Sequence, residues 1–138
     1  MKTKIFSELP KEAINIRTEV FMQEQGFQNE FDEMDQECIH FVMYDDKYAI
    51  ATCRIYFSQK NESYMIGRIA VRKQWRRNGI GEKIVSEAEN KITELGEKSA
   101  MLFAQKRVRG FYEKMGYVAT GYEEDDEGCL HIMMRKEW

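Results

Sequence analysis

The chain has 138 residues, the length of one ordinary domain, with 43% hydrophobic residues, 33% charged residues and a formal net charge of −3. This acidic balance argues against a general nucleic-acid binder, whose domain is normally basic, and no apolar run approaches the roughly eighteen residues that a membrane span needs. The three cysteines, Cys38, Cys53 and Cys129, are odd in number and widely spaced, which fits neither a disulfide framework nor a zinc site and points to a reducing, cytoplasmic setting with no metal.

Met1 to Phe6 gives way to a charge at Glu8, so the start lacks the apolar core of a signal peptide. A helix is predicted from Pro10 to Gln25, with Pro10 suited to its first turn, Ala13, Ile16 and Val20 on its apolar stripe, and Gly26 at its end. An acidic loop follows, carrying Glu30, Asp32, Glu33, Asp35 and Glu37, read as an ordinary solvated surface or as an attractor for a cationic substrate. Two strands, Cys38 to Tyr44 and Tyr48 to Phe57, form a hairpin around Asp45-Asp46-Lys47, and a third runs from Tyr64 to Val71.

The period then changes. Ile80, Ile84, Ala88, Ile92 and Leu95 recur every three or four residues, one face of an amphipathic helix closed by Gly96. A short strand, Ala100 to Ala104, precedes a second helix from Val108 to Met115 closed by Gly116. Two final strands, Tyr117 to Tyr122 and Leu130 to Arg135, flank an acidic turn from Glu123 to Gly128. Strand, helix, strand, helix in the second half requires at least one parallel pairing, and no linker divides the chain, so the whole reads as one mixed α/β domain over residues 1–138.

The chemistry concentrates where the third strand meets the long helix, at Arg76-Arg77-Asn78-Gly79-Ile80-Gly81. The glycines relax a tight turn and leave room for a ligand against backbone, and the helix N-terminus offers free N–H groups and a positive dipole end. Arg76 and Arg77 add positive charge, so the layout points to a phosphate-bearing ligand. A two-glycine turn or a solvated basic patch of Arg72, Lys73, Arg76 and Arg77 is the plainer reading of the same residues.

Arg76-x-x-Gly79-x-Gly81, after a strand ending Ile69-Ala70-Val71, resembles the acetyl-coenzyme A signature of the GNAT superfamily of N-acetyltransferases. Phe111-Tyr112-Glu113-Lys114-Met115-Gly116-Tyr117 resembles a second segment of that superfamily. Val20 to Gln25, Glu30 to Asp35 and His131-Ile132-x-Met134 extend the likeness to its small bacterial YjcF-type branch, over nearly the whole chain. A proline common before the loop arginine is replaced by Lys73 or Gln74, and Leu130 stands where proline often precedes the histidine.

The resemblance implies a mostly antiparallel central sheet with one splayed parallel strand pair, flanked by helices. It implies acetyl-coenzyme A as co-substrate, an acceptor amine that attacks directly in a ternary complex, and contacts from Ile69, Ala70 and Val71 to the pantetheine arm. Arg76, Arg77, Asn78, Gly79, Ile80 and Gly81 would take the pyrophosphate, with Gln105 and Arg109 near the coenzyme; Arg109 reads equally as a surface charge. Tyr112 is the candidate general acid, giving its phenol proton (pKa about 10) to the departing thiolate, whose conjugate acid has a pKa of about 8.5; as a residue flanked by aromatics it also reads as core. For the base, Glu24, Asp32, Asp35, His40 and His131 fall in segments that could border the site, and histidine, as the residue type suited to proton exchange near neutral pH, favours His131. Homodimers are frequent in similar proteins. The alternative is a catalytically silent coenzyme A-binding sensor or interaction module.

Overall fold

The computed structural model describes all of residues 1–138. Seven strands form one sheet in the order β1-β2-β3-β4-β5-β7-β6. They span Lys2–Phe6 (β1), Ile39–Asp45 (β2), Tyr48–Ser58 (β3), Ser63–Val71 (β4), Ser99–Gln105 (β5), Val118–Asp126 (β6) and Cys129–Glu137 (β7). Three α-helices, Lys11–Arg17 (α1), Ile80–Glu94 (α2) and Arg109–Lys114 (α3), complete it. Every strand pairing is antiparallel except β4 with β5, so the sheet is the mixed, mostly antiparallel one expected.

The central strands are buried on both faces because side chains alternate across the sheet. Phe41 and Met43 of β2 join the main core beneath α2, with Ile84, Ala88 and Ile92, while Val42 and Tyr44 pack on the other face against Ala13, Ile16 and Val20. α2 ends in a Schellman arrangement: Gly96 adopts φ +91°, its N–H reaches the Thr93 carbonyl, and the N–H of Glu97 reaches that of Ile92. α3 ends in the same way at Gly116, with the Tyr117 N–H on the Tyr112 carbonyl, and this fixes Tyr112 in its last turn. No helix is long and apolar enough to cross a membrane.

The fold departs from the sequence reading in four places. The first residues form β1, an edge strand on β2, which carries too few apolar side chains to announce itself. The helix expected over residues 10–25 is α-helical only to Arg17 and continues as a π-helix over Thr18–Glu24, and Pro10 caps it from outside, extended at ψ 156°, instead of entering the first turn. Glu123 to Asp126 belong to β6 and not to a turn, because an edge strand leaves one side in water and tolerates carboxylates there. The true turn is Glu127-Gly128, both at positive φ (51° and 83°), as a tight two-residue hairpin requires.

A candidate active site between two parting strands

β4 and β5 pair only at Tyr64 with Ala100 and Met65 with Met101, and then separate. The cause lies on the other side of β4. There Thr52 opposes Ala70 and Arg54 opposes Gly67, so Arg68 and Ile69 face the single residue Cys53 in a β-bulge, with Arg68 at φ +51°. An extra residue bends its strand and re-aims the residues beyond it. β5 meanwhile stays paired with β7 along its whole length. The opening so formed is a cavity of about 770 Å³.

The ladder also fixes which backbone groups face the opening. Arg72 donates its N–H to Ile50 on β3 at 2.9 Å, and bonded positions alternate along an antiparallel ladder, so the N–H and carbonyl of Val71 turn away from β3 toward the splay. The Val71 carbonyl is taken by Arg76 Nε at 2.9 Å. Ile69, Ala70 and Val71 all line the cavity.

At the far end of the opening α2 begins. Gly79, at φ +74°, precedes its first turn, and no side chain caps it, so the first N–H groups are free to meet an anion. Gly79, Ile80, Gly81, Arg76 and Arg77 border the cavity, whereas Asn78 is exposed beside it. Gly81 has a packing reason as well: a Cβ there would sit 3.0 Å from Cζ of Phe111, the neighbour of Tyr112. Arg76 is not a free cation, since its Nη1 and Nη2 hold both carboxylate oxygens of Glu24. Arg77, at φ +68°, is exposed and its guanidinium pairs with no carboxylate of the chain.

Tyr112 is 8% exposed, and its phenol oxygen bonds to nothing in the chain and opens on the cavity. Burial holds its proton well above the usual phenol range. His131, on β7, also faces the cavity and stacks edge-on with Phe27 at 6.4 Å. Its Nδ1 lies 2.9 Å from the Cys129 carbonyl and must therefore carry the hydrogen, which leaves Nε2 of the neutral ring as an acceptor. Gln105 lines the wall and bonds to Gln25 and Arg107. Arg109 stands apart, half exposed and paired with Glu113 on its own helix. Glu24 is likewise outside the wall, held by Arg76.

A buried charge network closes the side of the cavity opposite α2. Arg17 of α1, Arg54 of β3 and Arg68 of β4 hold Glu30, Asp32 and Asp35 at 2.7 to 3.3 Å, with Arg17 only 1% exposed. Burial pushes the Asp35 carboxyl up, but hydrogen bonds and charge from Arg17 and Arg54 outweigh it and hold the group at about 2. The hydrogen bond from Arg54 lowers Asp32 as well. His40 lies away from the cavity, its Nε2 on the Asp35 carbonyl, and burial lowers its pKa. In sequence these acids look like a solvated loop, because their arginine partners lie 13 to 38 residues away and nothing local marks the pairing.

Residues 6–138 match the family model of the acetyltransferase (GNAT) domain. The chain belongs to the GNAT acetyltransferase family. Among GNAT relatives it is 33% identical over 130 residues to the uncharacterized N-acetyltransferase YjcF of Bacillus subtilis, covering 92% of this chain and 91% of YjcF. A crystal structure described as an N-acetyltransferase candidate from Lactobacillus plantarum superposes with a TM-score of 0.86 at 28% identity, over 99% of both chains. An aminoglycoside 6′-N-acetyltransferase solved with coenzyme A shares the fold at a TM-score of 0.77 and 15% identity, over 99% of this chain and 97% of that one. The sheet, with its single parallel pair, is therefore the GNAT sheet.

Proposed function

We propose that this GNAT domain, spanning the whole chain, transfers the acetyl group of acetyl-coenzyme A to a primary amine. The observation that carries the reading is the convergence on one cavity of an uncapped helix N-terminus, a backbone N–H turned out of its ladder, and a buried phenol with no partner. The coenzyme's anionic end fits the first turn of α2, where Arg77 supplies the free positive charge. The splay suits an extended arm laid along Ile69 to Val71, which adds to the sheet as a short strand would.

Bound there, acetyl-coenzyme A supplies an activated acyl group, and the chain supplies the rest. The Val71 N–H, turned toward the opening, can donate toward oxygen as negative charge develops on it. Tyr112 keeps its proton at neutral pH and can give it to the departing sulfur. His131 Nε2 is a free acceptor on the cavity wall and can relay protons between the site and solvent. Gln105 and Arg107 brace the wall beside it.

A panel of primary amines, with free thiol released from acetyl-coenzyme A as the readout, tests this. Thiol release that depends on both partners supports the enzyme. Tight coenzyme binding with no release across the panel would favour a coenzyme A-binding sensor instead.

A further inference from the structure

Glu30 lies in the loop before β2 and is 5% exposed, yet its two carboxylate oxygens are used differently. Oε2 accepts from Arg17 Nε at 2.7 Å and lies 3.0 Å from Arg68 Nε as an ion pair. The backbone carbonyl of Glu30 also accepts from Arg17 Nη2 and Arg68 Nε, so the residue is pinned at both ends. Oε1 accepts nothing from the chain and is not sealed in the interior; Glu30 lines the cavity, and Oε1 opens there. An oxygen that keeps its lone pairs facing the cavity, on a side chain otherwise pinned, is positioned to accept from a donor that enters there.

No neighbouring carboxylate of the network is free in this way. Both oxygens of Asp32 and both of Asp35 are held by guanidinium groups, and so are both of Glu24. Position matters too. Arg68, which pairs with Glu30, lies in the β4 bulge, immediately before Ala70 and Val71 on the wall of the same opening.

Resting on the acetyltransferase reading, we propose that Glu30 Oε1 binds the acceptor amine and takes its proton during transfer. The nitrogen lone pair forms the new bond to the acyl carbon, and the carbon–sulfur bond breaks with its electron pair going to sulfur. One N–H proton passes to Oε1, and the Tyr112 phenol proton passes to sulfur. Glu30 then loses its proton to solvent and Tyr112 regains one, which restores both. Burial raises the proton affinity of Glu30, while Arg68, Arg17 and Arg54 pull it back down. Burial outweighs the three guanidinium groups, so the carboxylate is a stronger base than a surface glutamate.

The test measures thiol release from acetyl-coenzyme A with hydroxylamine and with every panel amine that the wild type turns over. Glu30→Gln is expected to lower kcat/KM for alkylamines about 100-fold, the loss typical of a missing acid or base. Coenzyme affinity by calorimetry should stay unchanged. Hydroxylamine, a weaker base whose N–H is more easily given up, should lose less. Equal loss of coenzyme affinity, or alkylamine turnover matching the wild type, would overturn the assignment. If Glu30→Gln does not fold, Glu30→Asp decides: it keeps the charge opposite Arg17 but withdraws the oxygen, so wild-type turnover there also overturns it. Absence of turnover by the wild type with any amine removes the acetyltransferase reading, and the role of Glu30 with it.

Discussion

Arg76 and Glu24, 52 residues apart, close a bidentate pair in which Nη1 and Nη2 lie 2.9 and 2.8 Å from the two carboxylate oxygens. With Nε on the Val71 carbonyl, the whole guanidinium is spent on tying the end of the π-helix to the end of β4. The loop arginine thus acts first as a brace. Both partners are about a third exposed, so the pair contributes no more than about 1 kcal/mol to stability. Glu24→Gln should lower the melting temperature slightly and leave the pH–rate profile of thiol release unchanged. A lost acidic limb in that variant would return Glu24 to the role of base.

Tyr112→Phe removes an oxygen that no group in the chain uses, so packing and unfolding free energy should hardly change. Turnover should fall about 100-fold with coenzyme affinity intact. Because burial raises the phenol's pKa, the wild-type basic limb should show no break from this residue below pH about 10. Stopped-flow thiol release and calorimetry on the same preparation check both halves.

Gly79 and Gly81 should fail for different reasons. Gly79 has open space around it but φ +74°, so Gly79→Ala should cost about 1 kcal/mol of stability through backbone strain. Gly81→Ala meets the Phe111 ring at 3.0 Å and should weaken coenzyme binding by displacing that ring and the attached Tyr112. Phe111→Leu in the same chain should restore part of the affinity. Calorimetry on the single and double variants decides, and no rescue would mean that the ligand itself needs the missing Cβ.

Acid should unfold the chain through Asp35. Its pKa is about 2 folded against 3.8 for the unpaired group, so its contribution, about 2 kcal/mol, is complete above pH 3.8 and is lost as pH falls toward 2. Glu30 works the other way, because its raised pKa means that protonation favours the folded state and offsets part of the loss. Urea unfolding from pH 6 to pH 2 should show this decline. Asp35→Asn should flatten it and cost about 3 kcal/mol at neutral pH by leaving Arg17 and Arg54 undercompensated.

Much of this was legible wherever a residue's role depends on its neighbours in sequence. The stripe from Ile80 to Ile92, the closing glycines 96 and 116, and the central strands follow from period and turn chemistry. The loop from Arg76 to Gly81 announces an anion site for the same reason. What the sequence hides is pairing across distance. Nothing near Glu30 shows that Arg17 and Arg68 will bury it, and nothing near Arg76 shows that Glu24 will claim it. The switch from α to π winding at Thr18 has no local signature either, yet it sets where Glu24 ends up.

The network of Arg17, Arg54 and Arg68 with Glu30, Asp32 and Asp35 balances three positive charges against three negative ones. A cluster without net charge projects little field beyond its own width, and its centre, Arg17, Glu30, Asp35 and Arg54, is at most 6% exposed. Ionic strength should therefore leave its strength nearly untouched, whereas the exposed carboxylates Glu124, Asp125 and Asp126 at the cavity rim are screened within about 10 Å at 0.1 M salt. Of the two groups of carboxylates around the opening, only the rim carries net charge to draw a cationic amine from a distance, and salt can switch that attraction off without loosening the wall.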